Sequence, residues 1–146
     1  MKKFFTIAMV ALATVLAVSC DKENGKPDNG NDTPEKINLV GTSWGMSFSG
    51  EVYGTTISMA EILNFTSEID GNRSVVAAYG DQSIVNDTIF TYTWDGTSLD
   101  MFIGESTRTL TYRASDTTFY MPLSGDPEMA QIAAALGITE LVYHQI

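Results

Sequence analysis

The stretch Ile89-Phe90-Thr91-Tyr92-Thr93-Trp94-Asp95-Gly96-Thr97-Ser98-Leu99-Asp100-Met101-Phe102-Ile103 decides the fold. Phe90, Tyr92 and Trp94 alternate with Ile89, Thr91 and Thr93 up to Asp95-Gly96, and the return run carries Leu99, Met101 and Ile103 on one face with Asp100 on the other. A period of two on both sides of an Asp-Gly pair predicts a β-hairpin with one apolar face. Phe102, on the outer face, breaks the pattern.

The same logic extends in both directions. Upstream, Trp44, Met46, Phe48, Gly50 and Val52 alternate with Ser43, Gly45, Ser47, Ser49 and Glu51, and Tyr53-Gly54-Thr55 turns the chain. From Ile57 to Phe65, Ile57, Met59, Leu63 and Phe65 share a face, but Glu61 intrudes on it; a bulged strand or a short helical turn around Ala60 is expected there. Ile69-Asp70-Gly71-Asn72 reads as a turn, Val75, Ala77 and Tyr79 as a strand, and Asp81-Gln82-Ser83 as a loop. Downstream, Gly104-Glu105-Ser106 turns into Arg108, Leu110 and Tyr112 on the inward face, followed by Phe119, Met121 and Leu123. One helix is expected, with Asp126 as N-cap, Pro127 at the first position, Glu128 at the positive end and Gly137 as the stop. Its alanine-rich middle suits packing on a barrel wall. The run from Ile138 to Ile146 closes the series with Leu141 and Tyr143 inward. Short strands joined by hairpin turns define an all-β class with one short α-helix, an antiparallel up-and-down barrel or a sandwich of about eight strands.

Ahead of this domain stands a different kind of sequence. Met1-Lys2-Lys3, an apolar run from Phe4 to Val18, and Leu16-Ala17-Val18-Ser19-Cys20 read as a secretory signal over residues 1–19 ending in a lipobox. The apolar run is shorter than the roughly 20 residues a spanning helix requires. It resembles the type II signal of bacterial lipoproteins, which implies that Cys20, the single cysteine, carries acyl chains as the new N-terminus. Each buried methylene contributes about 0.8 kcal/mol, so multiple acylation anchors the chain with no basic patch. Residues 20–36, the cysteine and a stretch with no aliphatic or aromatic residue beyond Pro27 and Pro34, are expected to form a disordered tether. Asp21 and Glu23 behind the cysteine are similar to the export signals of Bacteroidota lipoproteins, an ordinary polar linker being the other reading. The expected address is the cell outer membrane, lipid-anchored, with the face left open.

Residues 37–146 suffice for one hydrophobic core. Their cations are Arg73, Arg108 and Arg113, against 13 acids, a net −10. Such a surface repels nucleic acid and anionic lipid. The partners expected are therefore the membrane through the acyl chains, and either a small apolar ligand or an envelope protein.

At Leu39-Val40-Gly41-Thr42-Ser43-Trp44 the chain resembles a Gly-x-x-Trp variant of the lipocalin Gly-x-Trp signature. The order that follows, Leu63-Asn64-Phe65, Asp70-Gly71, the Tyr92 and Trp94 hairpin and Leu110-Thr111-Tyr112, is similar to small lipocalin-like domains of Bacteroidota lipoproteins over residues 39–123. That resemblance implies a lipocalin-like barrel in which Trp44 plugs one end beneath a basic side chain, Arg108 or Arg113. The short strands argue against a deep calyx.

Catalytic chemistry has little to work with. His144 is the only histidine and lies near the C-terminus, so a Ser-His-acid system would rest on a terminal strand. With one His and one Cys, a site needing about four such ligands is excluded by count, and no cofactor motif is present. Asp70, Asp81, Asp95, Asp100 and Asp116 sit at turns or outward positions, where solvation explains them.

Binding is better supplied. Trp44, Phe48, Phe65, Tyr79, Phe90, Tyr92, Trp94 and Tyr112 point inward, as core packing or, in a hollow barrel, as a lining. Arg108 shares that inward face and must reach the mouth, stack on Trp44 or meet an anion. The candidate ligand-binding residues are thus Trp44, Phe48, Tyr92, Trp94, Arg108 and Tyr112. Asp87-Thr88-Ile89 and Asp116-Thr117-Thr118 resemble O-glycosylation sites of Bacteroidota exported proteins, which requires Thr88 and Thr117 to face solvent. The function expected is a non-enzymatic, lipid-anchored envelope protein binding a small apolar or amphipathic ligand in a shallow barrel. Its rivals are a packed-barrel adaptor for another envelope protein and, third, a small hydrolase.

Overall fold

A computed structural model describes residues 36–125 and 127–146. The expectations placed on residues 1–35, including Cys20 and most of the tether, and the N-cap assigned to Asp126 lie outside the described residues. Eight antiparallel strands follow one another around a closed up-and-down barrel: β1 (Ser43–Val52), β2 (Thr55–Phe65), β3 (Asp70–Tyr79), β4 (Gln82–Trp94), β5 (Ser98–Ile103), β6 (Ser106–Arg113), β7 (Thr118–Pro122) and β8 (Glu140–Gln145). A 3₁₀ turn, Leu123–Gly125, and one helix, α1 (Pro127–Ala135), link β7 to β8.

The turns follow from residues that accept positive φ. Tyr53 (φ 50°) and Gly54 (φ 78°) form a two-residue hairpin loop of mirror-image type, whose twist matches that of the strands it joins. At Asp95-Gly96 the Asp95 carboxylate accepts the N–H groups of Thr97 (2.7 Å) and Ser98 (2.6 Å), while Gly96 takes φ 104°. These two bonds hold the Asp95 carboxyl below its usual range. Pro127 opens α1 as expected. Gly137 (φ 72°) closes it: its N–H reaches Ala134 O (3.0 Å) and that of Ile138 reaches Ala133 O (2.9 Å), the paired bonds of a Schellman stop.

Three local expectations are corrected. Asp70-Gly71 is not a turn but the start of β3, and Gly71 faces inward because Phe90 needs its room; a Cβ there would lie 2.2 Å from Phe90 Cζ and 2.6 Å from Asn64 O. The reversal sits one step earlier, where Ser67 Oγ accepts the N–H groups of Ile69 and Asp70. The loop drawn over Asp81-Gln82-Ser83 contracts to Gly80-Asp81, with Gly80 at φ 58°, and β4 runs on from Gln82. Finally, β2 is an unbroken strand through Glu61, paired residue for residue with β1 from Ser43↔Asn64 to Val52↔Thr55.

The barrel is unequal along its axis. Strands β1 to β4 pair along nearly all of their upper lengths, from Val52↔Thr55 to Tyr79↔Gln82 at one end, but β5 covers β4 only at 91–94 and β8 covers β1 only at Trp44 and Gly45. Closure is therefore confined to the end that holds Trp44. There the core is dense: Trp44, Leu63, Phe65, Phe90, Tyr92, Leu99, Met101, Leu110, Phe119, Met121, Leu141 and Tyr143 are all buried. The segment before β1 covers this base, with Leu39 buried, Trp94 Nε1 donating to Ile37 O (3.0 Å) and Trp44 Nε1 to Thr42 Oγ1 (2.9 Å). At the opposite end four strands continue as an open sheet. Its inner wall carries Phe48, Gly50, Met59, Val75 and Ala77, half-buried, and Leu136 just beyond α1 reaches the inner face at Gly50.

Candidate functional site

Between the dense base and the open sheet, the inward position on β2 is a carboxylate. Glu61 is 1 % exposed, flanked along its face by Met59 and Leu63. A carboxylate taken out of water must be paired, and three groups converge on it. Arg73 on β3 donates from Nε to Oε1. Arg108 on β6 donates from Nη1 at 3.1 Å to Oε1 and 3.4 Å to Oε2. The Tyr143 hydroxyl on β8 donates to Oε2 at 3.0 Å. Four strands thus meet at one side chain. Burial first, then the Glu61 charge, holds the Tyr143 phenol well above its ordinary value, so it stays a donor. The guanidinium side chains of Arg73 and Arg108 retain 11 % and 14 % exposure, so the cluster's cationic rim is reachable where its anionic centre is not.

Arg108 therefore meets an anion supplied by the chain itself, not Trp44. Arg113 does not lie over Trp44 either: it lies over the Tyr120 ring (4.3 Å) between Asp116 (3.6 Å) and Glu140 (3.7 Å).

The other five candidate ligand residues separate by level. Trp44, Trp94 and Tyr112 form one aromatic group with Phe119, with edge-on contacts at 4.7 Å (Trp44–Phe119), 5.4 Å (Trp94–Phe119) and 5.9 Å (Trp94–Tyr112). Each such pair adds about 0.5–1.5 kcal/mol beyond area burial. Tyr92 stacks edge-on with Phe65 at 4.9 Å and donates its hydroxyl to Ser67 O (2.7 Å); burial, then Glu68 and Asp70, raises its phenol pKa. These four pack the base. Phe48 alone stands on the open sheet's inner wall, and Arg108 at the boundary.

Thr88 is corrected. It faces inward opposite Arg73, and its Oγ1 is buried with no hydrogen-bond partner among the described residues, which denies a glycan the hydroxyl it needs. Thr117 is exposed, at φ 54° in the β6–β7 turn. His144 is exposed on β8, and among the described residues no three of His, Cys, Asp and Glu gather as metal ligands.

Glu61 and Arg73 escaped the sequence reading of the site. The available signal was that Glu61 and Arg108, of opposite charge, each interrupt an apolar face; two such interruptions inside one barrel compensate one another. No protein-family model, curated protein or solved structure matches this chain.

Proposed function

We propose that the protein is a non-enzymatic binding module of the cell envelope, anchored through acylated Cys20, that holds a small amphipathic molecule against the inner wall of its open sheet. The observation that carries this reading is the succession along that wall: half-buried Phe48, Met59, Val75 and Ala77 lead down to the rim of the Glu61–Arg73–Arg108–Tyr143 cluster. An apolar body on the wall with a polar end at the rim satisfies both surfaces, as small-molecule sites combine apolar lining with few polar groups. The aromatic base beneath is committed to packing and sets the floor, which makes the site shallow. The lipocalin-like resemblance of residues 39–123 and the lipobox belong to the same reading.

Thermal unfolding of the full chain with a panel of long-chain carboxylates and porphyrins tests it. A ligand at 100 times its Kd stabilises by about 2.7 kcal/mol. A raised midpoint that Phe48→Asp removes supports the proposal; no shift with any member up to its solubility limit contradicts it.

A further inference from the structure

Beyond ligand binding, one edge of the molecule has the form of a strand acceptor. From 82 to 90, β4 pairs with β3 on one side and with no strand on the other among the described residues, since β5 reaches only to Thr91↔Phe102. The N–H of Tyr92 points toward β3, bonding Ile69 O at 2.8 Å. Backbone groups alternate along a strand, so Ser83, Val85, Asp87 and Ile89 turn theirs toward the vacant side. Protein edges are ordinarily blunted by lysine, proline or a bulge. This one has none: 82–90 reads Gln-Ser-Ile-Val-Asn-Asp-Thr-Ile-Phe, and its register with β3 is unbroken. Ile84 is 71 % and Ile89 80 % exposed, on opposite faces. Where β5 leaves β4, a groove of about 540 Å³ opens beside Ile89 and Phe102.

We propose that this edge accepts an extended segment of a partner protein as an added antiparallel strand, apolar opposite Val85 and Ile89 and carrying a basic residue opposite Asp87. Charge selects the occupant. Asp70, Asp81, Asp87 and Glu105 surround the edge, all exposed, and no lysine or arginine lines the groove. A second copy would bring another domain of net −10 against them. Insertion into lipid would leave the four residues' N–H and C=O groups without partners, which hydrocarbon does not tolerate. A basic strand satisfies the backbone, the apolar side chains and the acids together.

The test follows backbone amides of the isotope-labelled full chain by NMR, with the nine-residue peptide Val-Thr-Lys-Thr-Val-Thr-Lys-Thr-Val as probe, whose one face alternates valine and lysine, and its twin with glutamate in place of lysine as control. The basic peptide is expected to slow exchange at Ser83, Val85, Asp87 and Ile89 at least tenfold and to bind at least tenfold tighter than the acidic one. Val85→Pro abolishes that protection, and Asp87→Lys, which leaves the backbone intact, narrows or reverses the preference between the peptides. Absence of protection with the basic peptide at millimolar concentration overturns the proposal. So does protection that grows with protein concentration alone, or that neutral phosphatidylcholine vesicles supply in the peptide's place.

Discussion

The base of the barrel and the sheet above it are made from the same alternating chain, yet they bury it differently. At the base all eight strands meet, the inward side chains form one buried cluster, and aromatic rings stack edge-on at 4.7 to 6.4 Å. Above Glu61 only β1 to β4 continue, so the same inward parity leaves Phe48, Val75 and Ala77 half-buried, with no opposing strand paired across from them among the described residues. Inward direction is thus a property of the strand, while burial is a property of closure. The Glu61 cluster lies at the transition and ties β2, β3, β6 and β8 together there.

The largest test of this contrast is truncation at matched parity. Trp44→Ala in the base is expected to cost about 3–5 kcal/mol in urea unfolding. Ile84→Ala, inward on the open sheet but exposed, should stay within about 0.5 kcal/mol. Equal losses would show that the two regions are packed alike. Removing the carboxylate comes next: Glu61→Ala leaves two largely but not fully buried guanidinium groups without their central anion and should cost about 3 kcal/mol. Its cost falls if arginine is removed with it, so the Glu61→Ala and Arg73→Met pair should be strongly non-additive.

Two glycines sharpen the comparison further. Gly71→Ala drives a methyl toward Phe90 and the backbone oxygen of Asn64 and is expected to cost about 1–3 kcal/mol. Gly50→Ala meets only the end of the Leu136 side chain, which can swing aside, so its effect should be below about 1 kcal/mol. A smaller effect is set by pH. Because the Tyr143 phenol is raised in the folded state, it binds a proton that the unfolded chain releases above about pH 10. Stability should be unaffected by this group below that value and fall as pH rises through it. Tyr143→Phe should flatten that decline.

The parts of this architecture that were readable in advance are those fixed locally. Asp95-Gly96 and Tyr53-Gly54 announce hairpins because positive φ restricts which residues fit, and Gly137 announces the end of α1 for the same reason. Asp70-Gly71 has the same letters and a different cause: Gly71 is small because Phe90 crosses it, a packing demand from 19 residues away that leaves no local trace. The upper half of β4 was hidden because Ile84-Val85-Asn86-Asp87 has no opposing layer to impose alternation. Glu61 read as an interruption of β2 because Arg73, Arg108 and Tyr143 stand 12, 47 and 82 residues along the chain. Of the candidate site, the sequence located Arg108 and Phe48 correctly on the inward face but could not rank them above Trp44, Trp94 and Tyr112. That ranking depends on where the barrel closes, which only strand lengths and pairings decide.

Amide hydrogen exchange in the unliganded full chain tests the division directly. Leu63, Leu99 and Phe119, in strands paired on both sides at the base, are expected to exchange only through global unfolding. Ser83, Val85, Asp87 and Ile89 should exchange orders of magnitude faster, near the rate of unprotected backbone. Uniform slow exchange across both sets would contradict the account, because it would require a continuous, fully closed barrel from base to rim.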